Sequence, residues 1–280
     1  MRELIDDLNH IKLAIFDLDG VVYRGKQLIP ESDTVIKDLK DLSIKVIYNS
    51  NNSTATRQMY VKRLENFGIK TKISDFYTSA SITAAEITKI KENATIFVIG
   101  EIGLKEELKA KGHNIISHPE NYNNVDFVIA GLDREFNYNT LAIAQKYIME
   151  GGADFYATNP DATLPVADGF LPGAGVMVNA IETCTGHKPI KIFGKPEPFG
   201  IELILKDLQI PAKKACIFGD RLNTDIAAGN KAGIMTICVL TGVTTKKMIE
   251  DIKKQGNHKS AEQYFLPNLT IHSLSEIFKK

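Results

Sequence analysis

Residues 12–20 read KLAIFDLDG, so a short apolar run leads directly into Asp17, Asp19 and Gly20. Comparable runs rich in Val, Ile and Phe recur along the chain at residues 44–49, 94–100, 125–131, 153–158, 214–220 and 234–240. Near-continuous apolar character, rather than strict alternation with polar residues, is typical of parallel strands that are covered on both faces. We therefore interpret the seven runs as strands of buried parallel sheet.

Helical patterns lie between these runs. In residues 54–68, Tyr60, Leu64 and Phe67 fall on one face at positions i, i+4 and i+7, and Gly68 is a suitable C-terminal stop. Because strands and helices alternate along the chain, the sequence predicts an α/β fold with a doubly wound parallel sheet.

The composition is that of an ordinary globular protein. The chain has 280 residues, with 34 Lys and Arg against 34 Asp and Glu, so it lacks the basic excess that nucleic-acid binding needs. Its three cysteines are widely separated and form no CxxC pair, which argues against a zinc site or a disulfide framework. The N-terminal residues lack the apolar core of a signal peptide, and the apolar runs are too short to span a membrane. We expect a cytoplasmic protein that binds neither nucleic acid nor membrane.

The first polar cluster is FDLDG, residues 16–20, after the first predicted strand. Asp17 and Asp19 are two residues apart, so in an extended chain they project to the same side. Their mutual repulsion favours a bound cation, and oxygen ligands favour Mg²⁺ over zinc. The alternative is that one of the two aspartates only forms a turn before Gly20.

The second cluster is NSNNS, residues 49–53, at the end of the second predicted strand. Hydroxyl, amide and backbone N–H groups at the start of a helix form a natural phosphate site. The alternative is that Ser53 or Thr54 caps the following helix, which explains one polar residue and not five in succession.

Two further clusters lie in the C-terminal part of the chain. In FGKPEP, Lys195 is either a fixed positive charge for an anion or a lysine of a surface turn, and taken alone the surface turn is favoured. In FGDRLNTD, Asp220 lies at a strand end and Asp225 near the start of a helix, where the helix macrodipole alone would favour an acidic residue.

The common position of the four clusters carries more weight than any one of them. In open α/β sheets, ligands bind outside the carboxyl ends of the strands, and all four clusters fall there. Together they supply carboxylates, hydroxyl and amide groups and a lysine. This set of groups suits Mg²⁺ and a phosphoryl group.

With these four clusters, the sequence resembles the haloacid dehalogenase superfamily. DLDGV, Ser50 at a strand end, Lys195 in GKP and GDRLNTD are similar to its four motifs in order. More narrowly, strings such as SNNSTATR, ATNPDATLP, GFLPGAG and VLTGVTT resemble the NagD-like, p-nitrophenyl phosphatase branch. One departure is Asn223, where relatives often carry Asp. The resemblance implies a Rossmann-like hydrolase core at residues 1–78 and 189–280, and a large inserted α/β cap domain at residues 79–188.

The resemblance also implies a role for each motif residue. Asp17 would attack phosphorus and form an aspartyl-phosphate, and Asp19 would protonate the leaving oxygen and then activate water. Mg²⁺ would be held by the carboxylates of Asp17 and Asp220 and the backbone carbonyl of Asp19, while Asp225 would orient Lys195 or a metal-bound water. Substrate phosphoryl oxygens would be bound by a set of groups at the second and third motifs: Ser50, Asn51, Asn52 and Lys195.

Residues 159–165 resemble the substrate-facing loop of the family's cap. Leu164 is apolar where some relatives have a polar specificity residue, so it either contacts substrate or belongs to the core. The expected substrate is a small phosphorylated metabolite, such as a sugar phosphate, glycerol phosphate or phosphoglycolate. Caps of this kind can dimerise, so a homodimer is left open. The alternative function is a module of the same fold that accepts a phosphoryl group or binds a ligand without hydrolysis.

Overall fold

The computed structural model describes residues 2–116, 122–166, 169–255 and 261–279. Fifteen strands lie in these ranges: β1 (Leu13–Phe16), β2 (Tyr23–Arg24), β3 (Gln27–Leu28), β4 (Lys45–Ser50), β5 (Phe76–Thr78), β6 (Thr95–Ile99), β7 (Asn114–Ile116), β8 (Phe127–Ala130), β9 (Asp154–Ala157), β10 (Thr163–Val166), β11 (Gly169–Pro172), β12 (Lys191–Ile192), β13 (Ala215–Gly219), β14 (Met235–Val239) and β15 (Leu269–Ile271). One of these strands coincides with each of the seven apolar runs, to within one residue at the end of β4, so the strand predictions are confirmed.

The same ranges contain nine α-helices: α1 (Ser32–Asp41), α2 (Arg57–Asn66), α3 (Ser79–Ile90), α4 (Ile102–Ala110), α5 (Tyr138–Met149), α6 (Ala174–Thr185), α7 (Phe199–Leu208), α8 (Ala227–Lys231) and α9 (Lys246–Gln255). The helix predicted within residues 54–68 is α2, and Gly68 follows it with a φ of 78°. The expectation that Ser53 or Thr54 caps this helix is wrong. The hydroxyl of Thr56 accepts a hydrogen bond from the Met59 N–H instead, because α2 begins at Arg57 and Thr56 directly precedes it.

The chain divides into two compact units. The first comprises Met1–Ser50, Val61–Tyr77 and Lys195–Lys280, and the second comprises Asn51–Tyr60 and Thr78–Gly194. This division does not test where the folding domains end. The expected limits at 78/79 and 188/189 therefore stay a prediction.

The first unit contains a six-stranded sheet in the order β15-β14-β13-β1-β4-β5. The pairs from β15 to β4 are parallel. β1 lies at the centre, and all four of its residues are buried, which explains its unbroken apolar sequence. The rings of Phe16 and Phe218 stack at 4.5 Å between centroids, so β1 and β13 are also joined by their side chains.

The register of this sheet brings three motif segments level. Phe16 of β1 is paired with Tyr48 of β4 and with Phe218 of β13. The Asp17 N–H continues the ladder by donating to the Phe218 carbonyl at 2.9 Å. The residues that follow each strand therefore emerge at the same edge, as expected for the carboxyl ends of parallel strands.

The second unit contains a five-stranded sheet in the order β12-β9-β8-β6-β7, and all its pairs are parallel. Its buried core joins the sheet to α5 and α6, with Tyr147 and Ile181 among the fully buried side chains. β10 and β11 form a separate antiparallel pair. Within the described ranges, no helix has the length and apolar character needed to cross a membrane.

The residues directly after β4 are anchored within the second unit. Arg57 forms a two-point ion pair with Glu107 of α4, at 2.6 and 2.8 Å. Gly103 of the same helix lies so close that an added Cβ would be 2.4 Å from the Ala55 carbonyl oxygen. The helix position requires glycine because the loop backbone occupies the space of a side chain.

Candidate active site

Lys195 lies at the centre of a buried polar cluster in the first unit. Its ammonium group donates to Asp17 Oδ1 at 2.7 Å, to Asp225 Oδ1 at 2.5 Å and to the Asn49 carbonyl at 2.9 Å. An ammonium has three N–H donors, so each of them has an acceptor. The surface-turn interpretation, which the local sequence taken alone favours, is wrong, since Lys195 is only 4% exposed.

Asp225 is held in place by its backbone surroundings. Its Oδ2 atom accepts from the Arg221 N–H at 3.2 Å, which leaves Oδ1 for Lys195. An added Cβ on Gly219 would lie 2.0 Å from Asp225 Cβ, so only glycine fits at that strand end. Asp225 lies in a π-helical turn, Leu222–Ile226, directly before α8. Such turns frequently occur at functional sites.

The cluster contains more negative than positive charge. Asp17, Asp220 and Asp225 can place one carboxylate oxygen each within 4.8 Å of one another. Burial raises the pKa of Asp17 well above its usual value; Lys195 opposes this shift, and the charges of Asp225 and Asp220 reinforce it. Burial alone would lower the pKa of Lys195, but the charges of Asp17 and Asp225 outweigh it and raise that pKa. The ammonium therefore stays charged, and the carboxylates favour any further cation.

Asp220 offers an oxygen for such a cation. Its Oδ2 accepts from the Val243 N–H at 2.7 Å, while its Oδ1 is buried with no hydrogen-bond partner among the described residues. Burial, followed by the charge of Asp225, raises the pKa of Asp220 to about 7. A buried carboxylate oxygen without a donor is costly unless a cation binds to it, and oxygen ligands suit a hard divalent cation. The donor set thus fits a divalent metal.

Asp19 differs from the other three aspartates. Among the described residues, its carboxylate is not part of the three-carboxylate cluster. The expected metal contact of Asp19 is through its backbone carbonyl, and that contact stays a prediction. Burial raises the pKa of Asp19 to about 6, although the positive charges of Arg63 and Arg221 lower it. A carboxyl group with this pKa can both donate and accept a proton near neutral pH.

The predicted phosphate-binding residues fall on both sides of the division between the units. Ser50 ends β4 and is buried in the first unit, whereas Asn51 and Asn52 belong to the second. The Asn51 carbonyl accepts from Asn159 Nδ2 at 2.8 Å, and Asn51 Nδ2 donates to Asp161 Oδ2 at 3.0 Å. The side-chain oxygen of Asn52 accepts a hydrogen bond from the Thr54 N–H at 2.8 Å, which closes a local turn. The backbone N–H groups predicted to bind phosphate are thus carried by a well-anchored loop.

Leu164 lies in β10, and its expected contact with substrate stays a prediction. It packs against the core of the second unit, and it also lines a small open cleft within that unit. Polar and apolar groups share the wall of this cleft: Asn51, Asn52, Ser53, Leu132, Asn159, Asp161, Thr163, Leu164, Gly173 and Ala174.

Several contacts of the site could not be predicted from the sequence. The Asn49 carbonyl that binds Lys195 and the Val243 N–H that binds Asp220 are backbone groups, which leave no trace in residue type. Asn159 and Asp161 lie in the loop that was singled out, but their contacts with Asn51 span more than 100 residues.

Comparisons with known proteins agree with this geometry. A family model described as haloacid dehalogenase-like hydrolase matches residues 14–114, and one described as HAD-hydrolase-like matches residues 192–270. The acid sugar phosphatase of Staphylococcus epidermidis is 36% identical over 243 residues, which cover 87% of this chain and 92% of that protein. The chain belongs to the haloacid dehalogenase-like hydrolases.

Two further relatives support membership of this hydrolase family. The 5′-nucleotidase YutF of Bacillus subtilis is 32% identical over 244 residues, covering 87% of this chain and 93% of that protein. The crystal structure of the 4-nitrophenylphosphatase from Thermotoga maritima matches with a TM-score of 0.86 at 33% identity, covering 97% of this chain and 98% of that one. The predicted family and the predicted fold class, a Rossmann-like core with an inserted α/β cap, are confirmed. The prediction of a phosphatase-type enzyme is confirmed as well, so the non-hydrolytic alternative is set aside.

Replacing the central lysine should destabilise this hydrolase in a pH-dependent way. In Lys195→Met, the buried carboxylates of Asp17 and Asp225 lose their cation, and the folded-state pKa of Asp17 rises further above its unfolded value. A carboxyl group whose pKa is higher in the folded than in the unfolded state opposes folding more strongly as the pH rises from the unfolded-state pKa to the folded-state pKa. We expect a loss of about 3–5 kcal/mol at pH 8 and a clearly smaller loss at pH 5.

Urea unfolding of metal-free protein at the two pH values measures this difference. Lys231→Met is the matched control, because it removes a lysine from the partly exposed ion pair with Glu197. That loss should be under about 1 kcal/mol at both pH values. An equal loss at pH 5 and pH 8 in Lys195→Met would show that the cluster is not held by charge.

Proposed function

We propose that this hydrolase is a Mg²⁺-dependent phosphatase that cleaves small phosphate monoesters through a phosphorylated Asp17. The observation that carries the proposal is the cluster in which Lys195 binds Asp17 and Asp225, while Asp220 keeps a buried oxygen that no described residue hydrogen-bonds. A lysine and several carboxylates at the carboxyl ends of parallel strands are the groups that phosphoryl transfer requires.

In the first step, an oxygen of Asp17 attacks phosphorus, and the bond between phosphorus and the ester oxygen breaks. Asp19 gives its proton to the departing oxygen, so that an alcohol leaves. The hydrogen bond from Lys195 to Oδ1 fixes the orientation of the Asp17 carboxylate. A covalent intermediate divides one difficult displacement into two easier ones.

In the second step, water attacks the phosphorus of the aspartyl-phosphate. Asp19, now ionised, takes a proton from this water, and the bond from phosphorus to Asp17 breaks to release inorganic phosphate. The pKa of Asp19, raised to about 6 by burial, suits a group that must act first as an acid and then as a base.

Asp17 and Asp220, with the backbone carbonyl of Asp19, are the proposed Mg²⁺ ligands. When bound, the ion would neutralise charge on the transferring group and allow an anionic carboxylate to approach an anionic phosphate. Lys195, Ser50 and the backbone N–H groups at Asn51 and Asn52 are proposed to bind the phosphoryl oxygens.

The leaving group is proposed to be a small polar molecule such as a sugar or glycerol. Within the second unit, the wall of the cleft beside Leu164 combines amide, carboxylate and hydroxyl groups with leucine side chains, a mixture typical of surfaces that bind small polar molecules. Relatives named acid sugar phosphatase and 5′-nucleotidase indicate substrates of this general size. Four residues of the segment that resembles the family's substrate-facing loop line part of this cleft: Asn159, Asp161, Thr163 and Leu164.

Phosphate release from p-nitrophenyl phosphate, with Mg²⁺ or with EDTA, tests the proposed function. We expect release to depend on Mg²⁺ and to fall on the order of 10³-fold or more in Asp17→Asn, which removes the nucleophile and retains the shape of the side chain. Asp251→Asn is a control, since Asp251 is an exposed residue of α9. Turnover near the wild-type level in Asp17→Asn, or release that EDTA leaves unchanged, would contradict the proposal.

A change at Leu164 should alter the choice of substrate more than the chemistry. We expect Leu164→Gln to change the ratio of kcat/KM between sugar phosphates and phosphoglycolate by about tenfold, with a smaller effect on p-nitrophenyl phosphate. Leu141→Gln is the matched control, because Leu141 packs against the same core and does not line the cleft. The same ratio in both variants would assign Leu164 to the core alone.

A further inference from the structure

The segment that follows β14 lies directly against Asp220. The Val243 N–H donates to Asp220 Oδ2 at 2.7 Å, and the Thr244 N–H donates to the Asp220 carbonyl at 3.0 Å. Thus one oxygen of the carboxylate is bound to this segment, and Oδ1, the atom assigned above to the metal, is the other.

The approach of the segment is too close for a side chain. An added Cβ on Gly242 would lie 1.8 Å from Asp220 Oδ2, and an added Cβ on Gly20 would lie 2.4 Å from the same atom. Two backbone segments, one after β14 and one after β1, therefore limit the positions that the Asp220 carboxylate can adopt.

A side chain joins these two segments. The hydroxyl of Thr241 donates to the Gly20 carbonyl at 2.6 Å, and the Arg24 guanidinium donates to the Thr241 carbonyl. Within this segment Thr244 is buried, whereas the side chain of Val243 is 37% exposed. The hydrogen bond of the Thr241 hydroxyl to Gly20 thus attaches this segment to the loop that carries Asp17 and Asp19.

We propose that Thr241 is a positioning residue for the divalent cation: its hydrogen bond to Gly20 holds residues 241–243 against Asp220, so that the carboxylate keeps Oδ1 directed to the metal. The inference rests on the proposed function and adds a residue outside the proposed metal ligands and phosphate-binding groups. Groups that orient metal ligands typically change metal affinity by 10- to 100-fold when they are removed.

Titration of metal-free protein with Mg²⁺ alone, followed by calorimetry, tests this role without any turnover. Thr241→Val retains the branched shape and removes the donor, and we expect it to weaken Mg²⁺ binding about tenfold or more. Thr241→Ser retains the hydroxyl and should restore the affinity to within about threefold of wild type. Thr34→Val, at an exposed position of α1, is the control for the exchange itself.

Kinetics separates metal binding from chemistry. In Thr241→Val, the Mg²⁺ concentration for half-maximal hydrolysis of p-nitrophenyl phosphate should rise by the same factor, while kcat at saturating Mg²⁺ changes by less than about threefold. Thr241→Ala should weaken Mg²⁺ binding to the same extent as Thr241→Val, and it replaces that variant if Thr241→Val does not fold. Unchanged Mg²⁺ affinity in these variants, or equal losses in Thr241→Ser and Thr241→Val, would overturn the role of Thr241 alone. A wild-type protein that binds no Mg²⁺ would overturn the metal-dependent function as well.

Discussion

Three oxygen atoms from three parts of the chain share the ammonium group of Lys195. Asp17 follows β1, Asn49 lies in β4, and Asp225 lies in the turn before α8. Burying an ion costs several kcal/mol, so this arrangement is stable only when each charge has close partners. With all groups ionised, three carboxylates and one ammonium leave two negative charges, which a divalent cation would neutralise. The lysine thus holds the cluster together, and the remaining charge defines what the cluster can bind.

The parallel sheet brings these groups together although they are distant in the sequence. Asp17 and Lys195 are separated by 178 positions, yet their side chains are 2.7 Å apart. The register of β1 with β4 and β13 places the strand ends level, so polar residues that follow buried apolar runs meet at one edge. Stability and function are therefore coupled at this edge, because the residues that end the strands also form the site.

Much of the fold and part of the site could be predicted from the sequence. The apolar runs define the strands because both faces of these sheets are buried, and the aspartates after β1 and β13 follow from that assignment. Lys195 could not be placed by its neighbours, since Gly194 and Pro196 indicate a turn and say nothing of distant carboxylates. Asp225 has a local explanation as an acidic residue near a helix start, but its partner is 30 residues away. Thr241 acts through a backbone carbonyl 221 residues away, and such a contact leaves no local pattern.

In the proposed mechanism, Asp17 carries the phosphoryl group during turnover. Acid quenching of Asp19→Asn during reaction with p-nitrophenyl phosphate, followed by mass spectrometry of the peptides, tests this directly. Without Asp19 to activate water, the second step should be slower than the first, so the intermediate should accumulate. We expect a phosphoryl group on the peptide that contains Asp17, formed as p-nitrophenol is released. Release of p-nitrophenol with no phosphorylated peptide, or with the phosphoryl group on another residue, would contradict this mechanism.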